Sequence, residues 1–248
     1  MKRGEFMNNK AGQFYNSTNL NYTYPEWNKY LNYNNAVYGQ MSSCYCKKSF
    51  FRVLNTYNSG LDIQVDDIIM AENLEIGKST RYAKFAPGTY NVKIYQSGEH
   101  KKLIFESTIF IYPNLAYTGV IAEDDINKTD ISVLMIPEAR ENAIKGAISA
   151  IRLTNLVVEA PDLELVTSDG TILFSGINYG QVSNNVVVPS GMYNLILRDK
   201  NSKKFVKTLN IDFAPRMHYT LFVAGDFGSN PNVKIMIPED GVNYLELC

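Results

Sequence analysis

The chain has 248 residues, 24 basic and 25 acidic side chains, a formal charge of −1 and 45% hydrophobic content. That length predicts one large domain or two of about 100 residues each, with enough apolar material for a real core. Near-neutral charge removes the electrostatic case for nucleic acid or an anionic membrane surface as the main partner. Two histidines, His100 and His218, and a single tryptophan, Trp27, leave little material for the commonest catalytic and metal chemistry.

The first ten residues, from Met1 to Lys10, have a basic start with no apolar run behind it, which is not the pattern of a secretory signal peptide. No apolar stretch approaches the roughly 18 residues that membrane insertion requires. The expectation is synthesis in a bacterial cytoplasm without export by the general secretory route. Arg3-Gly4-Glu5 can be encoded as a purine run resembling a ribosome-binding site, which points to Met7 as initiator in place of Met1.

Residues 1–48 read as an extended arm rich in asparagine and tyrosine. Tyr15, Tyr22, Tyr24, Trp27, Tyr30 and Tyr33 are interleaved with Asn16, Asn19, Asn21, Asn28 and Asn32. The segment lacks both a core-forming periodicity and the high charge of a solvated tail. Polar–aromatic composition of this kind orders on partner surfaces, and so many aromatics left in water are a liability. Docking of these aromatics during assembly is the expectation, with a leader of no role as the alternative.

Beyond the arm the sequence repeats itself. Phe51-Arg52-Val53-Leu54-Asn55 returns as Ile151-Arg152-Leu153-Thr154-Asn155, and Leu61-Asp62-Ile63 as Leu163-Glu164-Leu165. Pro87-Gly88-Thr89-Tyr90-Asn91 returns as Pro189-Ser190-Gly191-Met192-Tyr193-Asn194, and Lys101-Lys102 as Lys203-Lys204. Tyr117-Thr118 returns as Tyr219-Thr220, and Met135-Ile136-Pro137-Glu138 as Met236-Ile237-Pro238-Glu239. An offset near 100 residues means duplicated domains, because solenoid repeats run at about 20–50 residues. Within each copy, alternation such as Leu61-Asp62-Ile63-Gln64-Val65, with turn signals between the runs, reads as strands. The fold class is therefore all-β. Two tandem immunoglobulin-like antiparallel sandwiches are expected over 49–137 and 149–248, joined by a short linker helix over 138–148, where Glu138-Ala139-Arg140-Glu141 follows Pro137. The two lysine pairs read as solvated hairpin ends.

The elements Arg52-Val53-Leu54-Asn55, Pro87-Gly88-Thr89-Tyr90 and Ala116-Tyr117-Thr118-Gly119-Val120-Ile121-Ala122 resemble a bacterial family of tandem domains of unknown function, numbered 4397. The second copy matches through Arg152-Leu153-Thr154-Asn155, Gly191-Met192-Tyr193 and His218-Tyr219-Thr220-Leu221-Phe222-Val223-Ala224. The resemblance covers about residues 50–240. It departs at Leu54-Asn55, where members often carry histidine, and at the inserted Ser190. It implies a β-sandwich in envelope or surface proteins and no catalytic residues. The layout also resembles coat and appendage proteins of spore-forming anaerobes, which the mother cell makes around the spore without signal peptides.

The three cysteines, Cys44, Cys46 and Cys248, stand outside both repeats, two at the end of the arm and one at the last residue. Cysteines on tethers can meet the Cα separation of about 4.4–6.8 Å that a disulfide demands, and an odd count points to intermolecular pairing. Cys44 or Cys46 bonding a neighbour's Cys248 is one reading; three free thiols is the other. Cys44-Tyr45-Cys46 lacks nearby ligands to complete a metal site. No Gly-x-Ser-x-Gly elbow, phosphate-binding glycine loop or His-Glu-x-x-His is present. Asp226-Phe227-Gly228 reads as a strand-to-turn boundary, and Glu123-Asp124-Asp125 with Asn127 and Asp130 as an acidic turn, since its spacing is not that of a calcium loop. His218 aligns with Ala116 and reads as structural.

The expectation is a non-enzymatic structural protein without a cofactor, its partners being itself and other coat or surface proteins, with no nucleic acid and no membrane insertion. It would assemble into a bacterial surface layer or fibre (spore coat, exosporium or appendage) and sit at the spore or cell surface. The alternative is an envelope-associated module binding a glycan or a protein, with Tyr57, Tyr82 and Tyr179 as candidate contacts.

Overall fold

The computed structural model describes residues 48–98, 102–124, 130–138, 144–227 and 232–247, together with the backbone of 14–15. The arm contributes β1 (Phe14–Tyr15). The first unit contains β2 (Ser49–Asn55), β3 (Leu61–Val65), β4 (Ile68–Leu74), β5 (Ala83–Phe85), β6 (Gly88–Gln96), β7 (Leu103–Ile111), β8 (Ala116–Glu123) and β9 (Ile131–Pro137). The second contains β10 (Ile148–Asn155), β11 (Leu163–Thr167), β12 (Ile172–Ile177), β13 (Val186–Pro189), β14 (Gly191–Asp199), β15 (Phe205–Phe213), β16 (His218–Asp226) and β17 (Asn232–Met236).

Each unit is a sandwich of two sheets. In the first, β1-β9-β8-β2-β5 faces β4-β3-β6-β7; in the second, β13-β10-β16-β17 faces β12-β11-β14-β15. The two units thus share one strand order, β1 apart. Alternation sets the inner faces: Leu61, Ile63 and Val65 on β3, Val92 and Ile94 on β6, and Phe105, Ile109 and Ile111 on β7 all lie in the first core. Leu163, Leu165, Leu195, Leu197 and Phe213 do the same in the second.

β8 and β9 break the alternation, being buried along almost their whole length. The reason is a second cover. Leu54, Val120, Ala122, Leu134 and Ile136 on the outer face of the first unit pack against Leu156, Phe222 and Ala224 of the second. The two sandwiches therefore stack sheet against sheet, and their central strands are apolar on both faces, as doubly covered strands must be.

Three sequence expectations change here. β2 pairs with β8, and β10 with β16, in parallel, so the sandwiches are not antiparallel throughout. The sheet orders also differ from the ABED and CFG sheets of an immunoglobulin constant domain. The expected linker helix lies mostly outside the described residues; Glu138 and residues 144–147 are not helical, and Gly146 at φ 86° adopts a left-handed turn that a helix excludes.

The third correction concerns register. Val120 pairs with Leu134, and its counterpart Phe222 pairs with Met236. Leu134 therefore corresponds to Met236, Met135 to Ile237 and Glu138 to Asp240, one residue off the match of the two Met-Ile-Pro-Glu motifs. Side-chain direction agrees: Met135 packs in the first core, whereas Met236 packs in the seam. A one-residue slip in a strand turns every side chain to the other face.

Candidate functional site

β9 is the last of the first unit's own strands in its sheet, and the arm meets it there. Phe14 stands opposite Val133 and Tyr15 opposite Leu134, in parallel. An edge strand presents a row of unpaired N–H and C=O groups, and strand addition satisfies them without demanding particular side chains. A short arm segment therefore suffices, and polar–aromatic residues with strand propensity suit it.

The seam between the units carries charge as well as apolar surface. Arg52 and Arg152, only 3% exposed, stand at equivalent places on β2 and β10. Arg52 Nε donates to Thr118 Oγ1 at 2.9 Å, and Arg152 Nε to Thr220 Oγ1 at 2.9 Å. Each threonine hydroxyl then donates to an acid of its own unit: Thr118 to Glu138 at 3.3 Å, Thr220 to Asp240 at 2.8 Å. Each arginine also reaches across the seam through Nη1. Arg52 Nη1 reaches the carbonyl of Glu239 at 2.6 Å, and Arg152 Nη1 that of Pro137 at 2.9 Å. What one unit does to the other is returned, which is the signature of an approximate two-fold axis.

Arg52 also approaches Glu138 at 3.4 Å and Asp240 at 3.7 Å, and its guanidinium lies 4.6 Å from the centre of the Tyr82 ring. Tyr82 donates its hydroxyl to Glu138 and accepts from the amide of Gly241 at 3.1 Å, while Val242 N–H donates to Glu138 Oε2. Burial, and next the charge of Asp240, pushes the Glu138 carboxyl up to about 7 against the pull of Arg52 and Arg152. Burial raises Asp240 as well. These charges are shut away from water, and among the described residues Arg152 Nη2 and Asp240 Oδ1 make no hydrogen bond. This arrangement orients two domains; it offers a substrate no access.

A third feature lies on the β4-β3-β6-β7 sheet of the first unit. Asp62, Gln64, Ile69, Glu72 and Tyr95 line an open depression of about 130 Å³. Asp62 accepts from the Asn73 amide at 2.7 Å and is 4% exposed. Its counterpart Glu164, 2% exposed, pairs with Arg198 at 2.5 Å and Lys203 at 2.8 Å. Lys203 is exposed in the turn between β14 and β15, as a solvated hairpin end should be, and is an ion-pair partner as well.

Cys44, Cys46, Cys248, Tyr22, Tyr24, Trp27, Tyr30 and Tyr33 lie outside the described residues, and Tyr15 is placed only as a member of β1. Tyr57 packs on the first core, Tyr82 sits in the seam, and Tyr179 of the second unit donates its hydroxyl to the carbonyl of Glu123 in the first. The structure does not bring the three together as a binding surface. His218 exchanges hydrogen bonds with Asn243, donating from its amide at 2.8 Å and accepting at its carbonyl at 3.0 Å. Asp124 accepts from Ser132 at 2.6 Å; Asp125 and Asn127 lie outside the described residues. Among the described residues no group of three His, Cys, Asp or Glu side chains is placed to hold a metal, and no helix is long and apolar enough to cross a membrane.

The acids of the seam were not singled out by sequence. The available signal was a charged residue inside an apolar strand, Arg52 and again Arg152, each needing a buried counter-charge.

No curated protein matches the chain. Among solved structures, the family 26 carbohydrate-binding module of Eubacterium rectale Amy13K in complex with maltoheptaose matches at 8% identity and TM-score 0.26, covering 79% of this chain and 99% of that one. The Bacillus anthracis TIE protein matches at 8% identity and TM-score 0.22, covering 76% of this chain and 34% of that one. At these scores neither likeness bears on the site. The model of the family described as "Domain of unknown function (DUF4397)" matches residues 49–166 and 149–243, most of the chain and both sandwiches. The repeated strands, the doubled arginine–threonine–acid relay and this match have one conclusion: the chain belongs to the DUF4397 family.

Proposed function

We propose that the protein is a structural, self-assembling subunit of a bacterial surface layer or fibre, such as a spore coat, exosporium or spore appendage, and has no catalytic activity. The observation that carries this reading is the pairing of Phe14–Tyr15 with the β9 edge. It supports an arm that works by adding a strand to a sheet, a mode of contact that operates equally between chains. Cys44, Cys46 and Cys248 would then lock neighbours through intermolecular disulfides. The spore or cell surface is the proposed location.

Electron microscopy and non-reducing gels of the full chain and of a variant lacking residues 1–48 test the reading. Fibres or sheets and a disulfide ladder are expected from the full chain, and neither from the variant. Uniform monomers from both under oxidising conditions overturn it.

A second reading, a module binding an envelope glycan or protein, is favoured by one observation: Gln64, Ile69, Glu72 and Tyr95 line an open depression on the first unit. It would give monomers whose ligand affinity is lost in Tyr95→Ala.

A further inference from the structure

We propose that the outer edge of β17, Asn232–Met236, is the acceptor for residues Asn19–Tyr24 from the arm of a second copy, which dock there as an added strand. The inference rests on the assembly reading and names its acceptor surface.

The duplication supplies the first argument. Leu134 corresponds to Met236 and Val133 to Ile235, so β17 occupies in the second unit the place that β9 occupies in the first. β9 carries an arm strand on its outer edge; among the described residues nothing pairs with the outer edge of β17. The difference shows in the core. Val133 and Met135 are 1% and 9% exposed, whereas their counterparts Ile235 and Ile237 are only half-buried.

The arm contains a segment that suits this edge. In Asn19-Leu20-Asn21-Tyr22-Thr23-Tyr24 polar and apolar residues alternate strictly, the pattern of a strand with one buried face. Docked beside β17, the Leu20, Tyr22 and Tyr24 row would continue the inward row of Val233 and Ile235. The Asn19, Asn21 and Thr23 row would fall on the face that carries the exposed Lys234. A lysine on an edge discourages apolar strands and tolerates amides and hydroxyls.

Geometry decides between the chain's own arm and another's. Leu134 of β9 packs against Gly180, in the connection between β12 and β13. Met236 of β17 packs against Gly77, in the connection leading to β5, and β5 and β9 are opposite edges of one sheet. The two edges therefore lie on opposite flanks of the seam. Three strand spacings and the depth between stacked sheets separate them, about 14 Å and about 10 Å respectively. Four residues, the step from Tyr15 to Asn19, reach at most about 14 Å. An arm held on its own β9 cannot pass round the molecule to its own β17, yet it can hand its next segment to a neighbour. Donor and acceptor on opposite flanks make a head-to-tail contact, and such contacts propagate when the rotation does not close.

Cysteine trapping on the full chain tests this. In a background of Cys44→Ser, Cys46→Ser and Cys248→Ser, one chain carries Lys234→Cys. The other carries Asn21→Cys, or Tyr22→Cys to cover the opposite pleat phase. Circular dichroism and size-exclusion chromatography confirm that each chain folds. Mixing the two under an oxidising catalyst is expected to give a cross-linked pair, and a chain with both cysteines a ladder of oligomers. No cross-link with either arm cysteine, or only an internally bonded monomer from the double variant, overturns the proposal. If assembly still depends on the arm in that case, the structural reading stands and only this acceptor falls. Hydrogen exchange adds a second readout: protection of 232–236 should rise with concentration in the full chain and not in a variant lacking 19–24.

Discussion

Arg52 and Arg152 would each be costly alone in an apolar seam, and Glu138 and Asp240 make them tolerable. Because Glu138 titrates at about 7 and not at its ordinary 4.5, the folded protein holds a proton that the unfolded chain releases between those values. Stability must therefore fall as pH rises from about 4.5 to about 7 and level off above, by up to on the order of 3 kcal/mol for this group. The raised Asp240 contributes in the same direction. Urea midpoints measured from pH 5 to pH 8 should decline for the native chain, and Glu138→Gln should flatten most of that decline. An unchanged slope in Glu138→Gln would show that the titration lies elsewhere. Of this relay the sequence exposed the arginines and threonines, which repeat at matching places. Its acids stayed hidden, because the matching Met-Ile-Pro-Glu motifs suggested Glu239 where the strand register delivers Asp240.

At the scale of the strand, the two units solve one packing problem with opposite volumes. A Cβ at Gly119 on β8 would come within 2.7 Å of the Phe51 ring, so the bare backbone there makes room for the largest side chain of β2. In the second unit Ile151 replaces the phenylalanine and Leu221 the glycine, at the same registers. Gly119→Leu alone should overpack the first core and cost about 1–3 kcal/mol. Adding Phe51→Ile, which recreates the second unit's pair, should recover most of the loss, as thermal or urea melts of the single and double variants would show. Strands were legible because alternation and turn residues repeat on a fixed offset. The parallel pairing of β2 with β8 was not: periodicity reports which face a residue takes, and says nothing of neighbour or direction.

At the scale of the whole molecule, the seam makes one body of two sandwiches. Its apolar centre includes Phe222, which is 1% exposed and packs with Leu54, Val120 and Leu134 of the other unit. Phe222→Ala should cost about 3–5 kcal/mol, and the loss should be felt in both units. Hydrogen exchange should accelerate in β8 as well as in β16; acceleration confined to β16 would mean that the units fold independently. The stacking left its trace in the sequence as the unbroken run Tyr117-Thr118-Gly119-Val120-Ile121-Ala122. That run announces a doubly covered strand without naming the second cover.

The two-fold character of the seam has a consequence for how the halves diverge. Two separate copies meeting through the same patch would have to keep it matched and would part on dilution. Joined in one chain, they meet at an effective concentration set by the connection and not by dilution. Contact is then guaranteed at any dilution, and the two copies no longer have to be identical. One edge is free to acquire an arm while its twin pairs with none among the described residues, and a symmetric pair becomes a particle with a front and a back.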